Sequence, residues 1–281
     1  MSGQSFEGLM PIRSLLFVPG ARPERFEKAL AAGAHAVVID LEDAVPLAQK
    51  ASARGTVCDY LKNYSGAGRL GVRINSPLTP DGVRDLAALS EIGRTPSLLM
   101  IPKVATATEI AVAAGALGVT TPSIVPIVES ATGLKNCWDI AAAPFVEAVL
   151  FGAIDLAADI GGQPSWEAML FARSRLATAC ADAGVELLDV PSIDIDDDAG
   201  LREATLKARA LGFTGRACIH PRQVPVVNAA FHPSEAEIIH ARRVIQALDD
   251  AKGAAVQLDG KMVELPVIRS ARRILAALGE N

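Results

Sequence analysis

The sequence predicts an α/β fold, a (β/α)8 TIM barrel, and three observations carry that expectation. Eight short apolar runs recur along the chain, helix-like segments alternate with them, and polar residues gather at their carboxyl ends. The runs are apolar throughout rather than alternating, which suits strands buried on both faces of a parallel sheet.

In chain order the runs are RSLLFVP (13–19), AVVIDLE (36–42), RLGVRIN (69–75), SLLMIPK (97–103), SIVPIVE (123–129), AVLFGAI (148–154), ELLDVP (186–191) and RACIH (216–220). Helices are expected at 23–32, 46–63, 80–89, 106–117, 166–183 and 199–211, with proline or a capping residue near several starts. An open doubly wound sheet is the competing arrangement. Its nucleotide-binding form needs a glycine-rich turn after the first strand, and FVPGARPERF carries a single glycine. Beyond the eighth run, 234–252 reads as a long helix. The tail VQLDGKMVELPVIRSARRILAAL reads as a polar loop and one more helix.

Composition narrows the function. The chain has 281 residues, 50% of them hydrophobic, which is ample for one large core. A net charge of −5 without long charged runs argues against a nucleic-acid surface. The start MSGQSFEGLMPIR lacks the features of a signal peptide, and no eighteen-residue apolar run offers a membrane span, so the expected setting is cytoplasmic. Cys58, Cys137, Cys180 and Cys218 stand far apart, as buried thiols rather than disulfide or zinc partners.

Barrels place chemistry at the carboxyl ends of their strands, where the sequence sets Glu42, Asp43, Arg73, Asn75, Lys103, Glu129, Asp155, Asp189 and His220. Glu129 and Asp155 follow neighbouring runs one strand-helix-strand unit apart. They either form a hard-cation site or cap the helices that follow. Arg73 lies inside an apolar strand, so it faces a carboxylate of the protein or of a ligand. Of Glu42 and Asp43, adjacent in sequence, one can cap a helix while the other faces the centre. His220 reads as a hydrogen-bonded structural residue or a base, and the Asp194–Asp198 cluster as a helix start. The Asp259-Gly260 pair is a strong turn signal.

These motifs together resemble the HpcH/HpaI aldolase and citrate lyase family, on its citrate lyase β-subunit-like side. The resemblance covers nearly the whole chain: RSLLFVPG with Lys28 after it, AVVIDLEDAV, GVRIN, IPKV, IVPIVESATG, GAIDLAADIG, IHPRQV and LDGKMVELP. It implies a Mg2+-dependent barrel enzyme that acts on a carbon–carbon bond beside a thioester and assembles as a homotrimer or hexamer. It assigns Glu129 and Asp155 as metal ligands, Arg73, Arg13 and Lys28 to substrate binding, and Asp259, Arg73, Glu42 and Asp43 to catalysis. It also implies a catalytic barrel over 1–252, with 253–281 as a lid and helix packing on a neighbouring subunit.

Three positions depart from the family pattern: Arg216 replaces a lysine and could alter how a coenzyme A phosphate is held, Glu264 replaces an aspartate, and His35 replaces an acidic residue. The expected reaction is Mg2+-dependent cleavage of a malyl-CoA or citramalyl-CoA type thioester to acetyl-CoA and an α-keto acid. Thioester hydrolysis of the same acyl-CoA, or action as a citrate lyase β-subunit on an acyl-carrier thioester, are the alternatives.

Overall fold

Apolar residues on both sides of each strand are satisfied by closing the sheet. In the computed structural model, which describes residues 11–118, 121–251, 257–276 and 278, β1 (Ser14–Pro19), β2 (Ala36–Asp40), β3 (Leu70–Arg73), β4 (Leu98–Ile101), β5 (Ser123–Val128), β6 (Ala148–Phe151), β7 (Glu186–Asp189) and β8 (Gly215–Cys218) pair in that order into a closed barrel. All pairings are parallel, and β8 returns to β1 with Ser14 opposite Arg216.

The strands' twofold alternation divides the core into two layers. Leu15, Val38, Leu98, Met100, Val125, Leu150 and Leu188 fill the barrel. Their neighbours Leu16, Val37, Ile39, Leu99, Val128 and Leu187 pack outward beneath the helices. Each such side chain contributes about 1.5–3 kcal/mol on burial.

The helices are α1 (Phe26–Leu30), α2 (Lys50–Asn63), α3 (Pro80–Glu91), α4 (Ala107–Leu117), α5 (Ala131–Lys135), α6 (Cys137–Ala141), α7 (Ala153–Asp159), α8 (Leu170–Ala183), α9 (Asp198–Ala210) and α10 (Gln223–Phe231), followed by α11 (Glu235–Ala251) and α12 (Leu265–Ala276). Local chemistry explains several starts. Thr79 accepts from Gly82 N with Pro80 opening α3, and Thr106 and Glu109 form a reciprocal capping box at α4.

Two expectations shift. The run AVLFGAI is strand only to Phe151, because Gly152 breaks it and α7 begins at Ala153, which puts Asp155 in a first helical turn. The barrel's last helix is α10 rather than 234–252. The chain divides into units of 1–231 and 232–281, so the boundary expected at 252 falls earlier. In the second unit α11 packs on α12 through Ala241, Val244, Ile268, Ala271 and Leu275. Between them β9 (Gln257–Leu258) and β10 (Lys261–Met262) form a two-stranded hairpin. No helix among the described residues is long and apolar enough to cross a membrane.

Candidate active site

At the carboxyl end of the barrel, a cavity of about 380 Å³ is lined by Asp40, Asp43, Arg73, Glu129 and Asp155, with Phe17, Ile127, Phe151, Pro191 and Ile219 as apolar walls. Its floor is an ion cluster built on β2 and β3. Asp40, the last residue of β2, meets Arg73, the last of β3, in a two-point contact: Nε donates to Oδ1 and Nη2 to Oδ2, both at 2.6 Å. Arg73 Nη1 lies 3.0 Å from Glu42 Oε2, and the guanidinium stacks 4.9 Å from the Phe17 ring centroid. Glu42 Oε1 accepts from Lys103 Nζ at 2.7 Å. Its Oε2 is buried and lacks an aligned donor among the described residues. Burial pushes the Glu42 carboxyl up, against the lowering pull of Arg73 and Lys103.

Glu129 follows β5 and is buried, whereas Asp155 on α7 is exposed to the cavity. Burial, then the negative charge of Asp155, pushes the Glu129 carboxyl up to about 8. A buried carboxylate whose proton affinity is raised by a second carboxylate beside it fits a cation between the two. Among the described residues no three His, Cys, Asp or Glu are grouped to hold a metal. A cation here would therefore take two protein carboxylates and leave its other positions to water or substrate oxygens, as hard divalent ions accept.

The ESATG segment is shaped for this task. Ser130 caps α5 by accepting from Gly133 N at 3.1 Å, and a Cβ on Gly133 would stand 2.5 Å from the Val104 carbonyl. Gly152 has the same role across the site, since its Cβ would lie 2.4 Å from Glu129 Cβ.

The structure brings Arg73, Glu42, Asp43, Glu129 and Asp155 together but sorts the other expected residues differently. Lys28 lines a second cavity of about 300 Å³ with Arg25 and His220, which shares Phe17, Pro19 and Ile219 with the first. Arg13 precedes β1 and so stands at the amino end of the barrel. It lies roughly 13 Å along the strand from Phe17, the first β1 residue to line the cavity, given about 3.3 Å per residue. Its expected substrate contact is not supported within the barrel.

Asp259, with φ 52°, and Gly260, with φ 76°, make the hairpin turn, and the aspartate pairs with Arg243. The cavity is lined wholly by barrel residues. Arg216 is no phosphate ligand: it points outward from β8 and is buried in an ion pair with Asp189, which also meets Arg173. His35 is at the amino end as well, its Nδ1 3.2 Å from Ser14 Oγ. Glu264 is exposed just before α12, its carbonyl accepting from Val267 N.

One site residue, Asp40, escaped sequence reasoning, and Lys103, expected at the end of its strand, takes a part that the sequence did not indicate. Asp40 was hidden by the more conspicuous Glu42 and Asp43, although IDLED placed it on the inward parity of β2. Lys103 adopts a left-handed backbone, φ 55°, and donates its N–H to Glu129 Oε1 at 2.7 Å. Behind them, half-buried Lys50 Nζ donates to the carbonyls of Leu41 and Glu42 and to Asn75 Oδ1, while Asn75 donates to Asp85, which Arg54 holds. That network fixes the loop carrying Glu42.

The resemblances agree with this geometry. The chain is 38% identical to a citrate lyase subunit beta-like protein of Mycobacterium tuberculosis, over 94% of this chain and 95% of that protein. It is 35% identical to an L-malyl-CoA/beta-methylmalyl-CoA lyase of Cereibacter sphaeroides, over 94% of each chain. The crystal structure of CitE from Mycobacterium tuberculosis in complex with magnesium, acetoacetate and coenzyme A superposes with a TM-score of 0.84 at 36% identity, covering 97% of this chain and 99% of that one. The description HpcH/HpaI aldolase/citrate lyase matches residues 13–221, and the chain belongs to that family.

Proposed function

We propose that the protein is a Mg2+-dependent lyase on coenzyme A thioesters, cleaving a malyl-CoA or citramalyl-CoA type substrate to acetyl-CoA and glyoxylate or pyruvate. The observation that carries this reading is buried Glu129 facing Asp155 beside the Asp40–Arg73–Glu42 cluster. Relatives named as malyl-CoA lyase and citrate lyase β, and a neighbour holding magnesium with coenzyme A, support it.

Glu129 and Asp155 would hold Mg2+, which when bound polarises the hydroxyl and carboxylate oxygens of the substrate. The carbon–carbon bond breaks with its electron pair passing to the thioester enolate, while the hydroxyl gives up its proton and becomes the keto-acid carbonyl. Arg73 would offer Nη1, which it shares with Glu42, to the charge that develops there, its other edge being committed to Asp40. The adjoining cavity of Arg25 and Lys28 suits the phosphates of the coenzyme. Asp259, from a neighbouring subunit of a trimer or hexamer, is our candidate for protonating the enolate carbon.

Incubation of the purified protein with malyl-CoA, citramalyl-CoA and Mg2+, with keto acid and free thiol followed separately, tests this. Keto acid without thiol is expected. Thiol release without keto acid makes the protein a thioesterase, and turnover only of acyl-carrier thioesters makes it a citrate lyase subunit.

A further inference from the structure

We infer that Asp159 is a positioning residue that ties the two halves of the carboxylate pair together and sets the separation of Glu129 and Asp155. This rests on the cation reading of that pair. Asp155 and Asp159 are four residues apart on α7 and so share a helix face. Asp155 lines the cavity, while Asp159 Oδ2 accepts from the backbone N–H of Ala131 at 2.8 Å.

Ala131 is two residues beyond Glu129 and opens α5, so its N–H has no partner within the helix. Ser130 cannot serve it, because its hydroxyl is turned to Gly133 N. The contact therefore closes a ring running from Glu129 through Ala131 and Asp159 back to Asp155.

The lower half of that ring is already rigid. Val128 pairs with Phe151 across β5 and β6, and Gly152 N extends the ladder to the Val128 carbonyl at 3.0 Å. Lys103 N–H fixes one oxygen of Glu129 from the other side. What the ladder does not restrain is the splay of α7 away from the loop after β5. Asp159 opposes it with one hydrogen bond. Contacts made directly to a metal-ligating side chain are worth about 10–100-fold in metal affinity, and Asp159, which is exposed and holds backbone beside the ligand, falls at the lower end.

Mn2+ binding measured by electron paramagnetic resonance on the full chain without substrate tests the tie. Asp159→Ala is expected to weaken Mn2+ binding about tenfold and to raise the Mg2+ concentration for half-maximal activity, with kcat at saturating Mg2+ largely retained. Asp159→Asn keeps an acceptor oxygen and is expected to bind Mn2+ like the unsubstituted protein. Thermal melts establish that both variants are folded. Undiminished binding in Asp159→Ala overturns the inference. So does equal weakening in both variants, which would make the charge rather than the hydrogen bond responsible. If the unsubstituted protein binds no Mn2+, the cation reading falls and takes this inference with it.

Discussion

Lys103 donates its backbone N–H to Glu129 Oε1 at 2.7 Å from a left-handed backbone that few lysines adopt, so the loop after β4 is bent to orient a carboxylate on the next strand. On the opposite side Gly152 leaves room for the same side chain.

Gly152→Ala would set a methyl carbon 2.6 Å from Glu129 Oε2. We expect overpacking to cost about 1–3 kcal/mol of stability and the displaced carboxylate to lose divalent-metal affinity. Chemical denaturation and Mn2+ titration check both effects. A variant that binds Mn2+ normally would show that Glu129 can shift without loss.

Arg73→Lys separates two roles for this arginine. Since its fork is committed to Asp40, itself buried, the lysine variant should lose stability of about 1–3 kcal/mol as well as activity. An arginine that served substrate alone would lose activity at unchanged stability. Denaturant midpoints measured beside kcat/KM distinguish them.

Glu186 offers a pH test away from the cavity. Burial, then the charge of Glu147, pushes its carboxyl up to about 7, against the lowering effect of the hydrogen bond from Ile12 N. The folded protein thus holds a proton that the unfolded chain releases near the ordinary value of 4.5. Between those limits the native state binds more protons, so this group's contribution to stability falls as pH rises through the window and is level above about 7. Glu186→Gln should flatten that part of the curve of melting temperature against pH. An unchanged slope would mean that Glu186 ionises normally.

Mixing tests the origin of the acid. Asp259 is at an exposed hairpin turn, and its assignment across a subunit boundary requires that Asp259→Ala and Glu129→Ala chains, each inactive alone, regain partial activity when co-assembled. Full activity of Asp259→Ala by itself would remove the residue from the chemistry. Mixed oligomers as inactive as either parent would confine the site to one chain.

The barrel was legible because burial on both faces leaves an unmistakable mark: eight uninterrupted apolar runs, each followed by helix chemistry. The rim carboxylates were legible for the same reason, since a charge ending such a run must reach the strand's carboxyl end. Asp155 stands in the first turn of α7 rather than directly at a strand end, because AVLFGAI stays apolar across the break at Gly152, and apolarity alone does not separate the end of a buried strand from the start of a buried helix.

What the sequence by itself determined was which strands are buried and which acids stand at their ends. Only the tertiary structure decided who pairs with whom. Closure puts Asp40 rather than a substrate against the fork of Arg73, turns Arg216 outward onto Asp189, leaves Arg13 at the opposite end from the cavity, and bends Lys103 to serve Glu129. The physical reason is that burial is written in the local pattern of each strand, whereas partners across a barrel are set by register and parity between strands far apart in the chain.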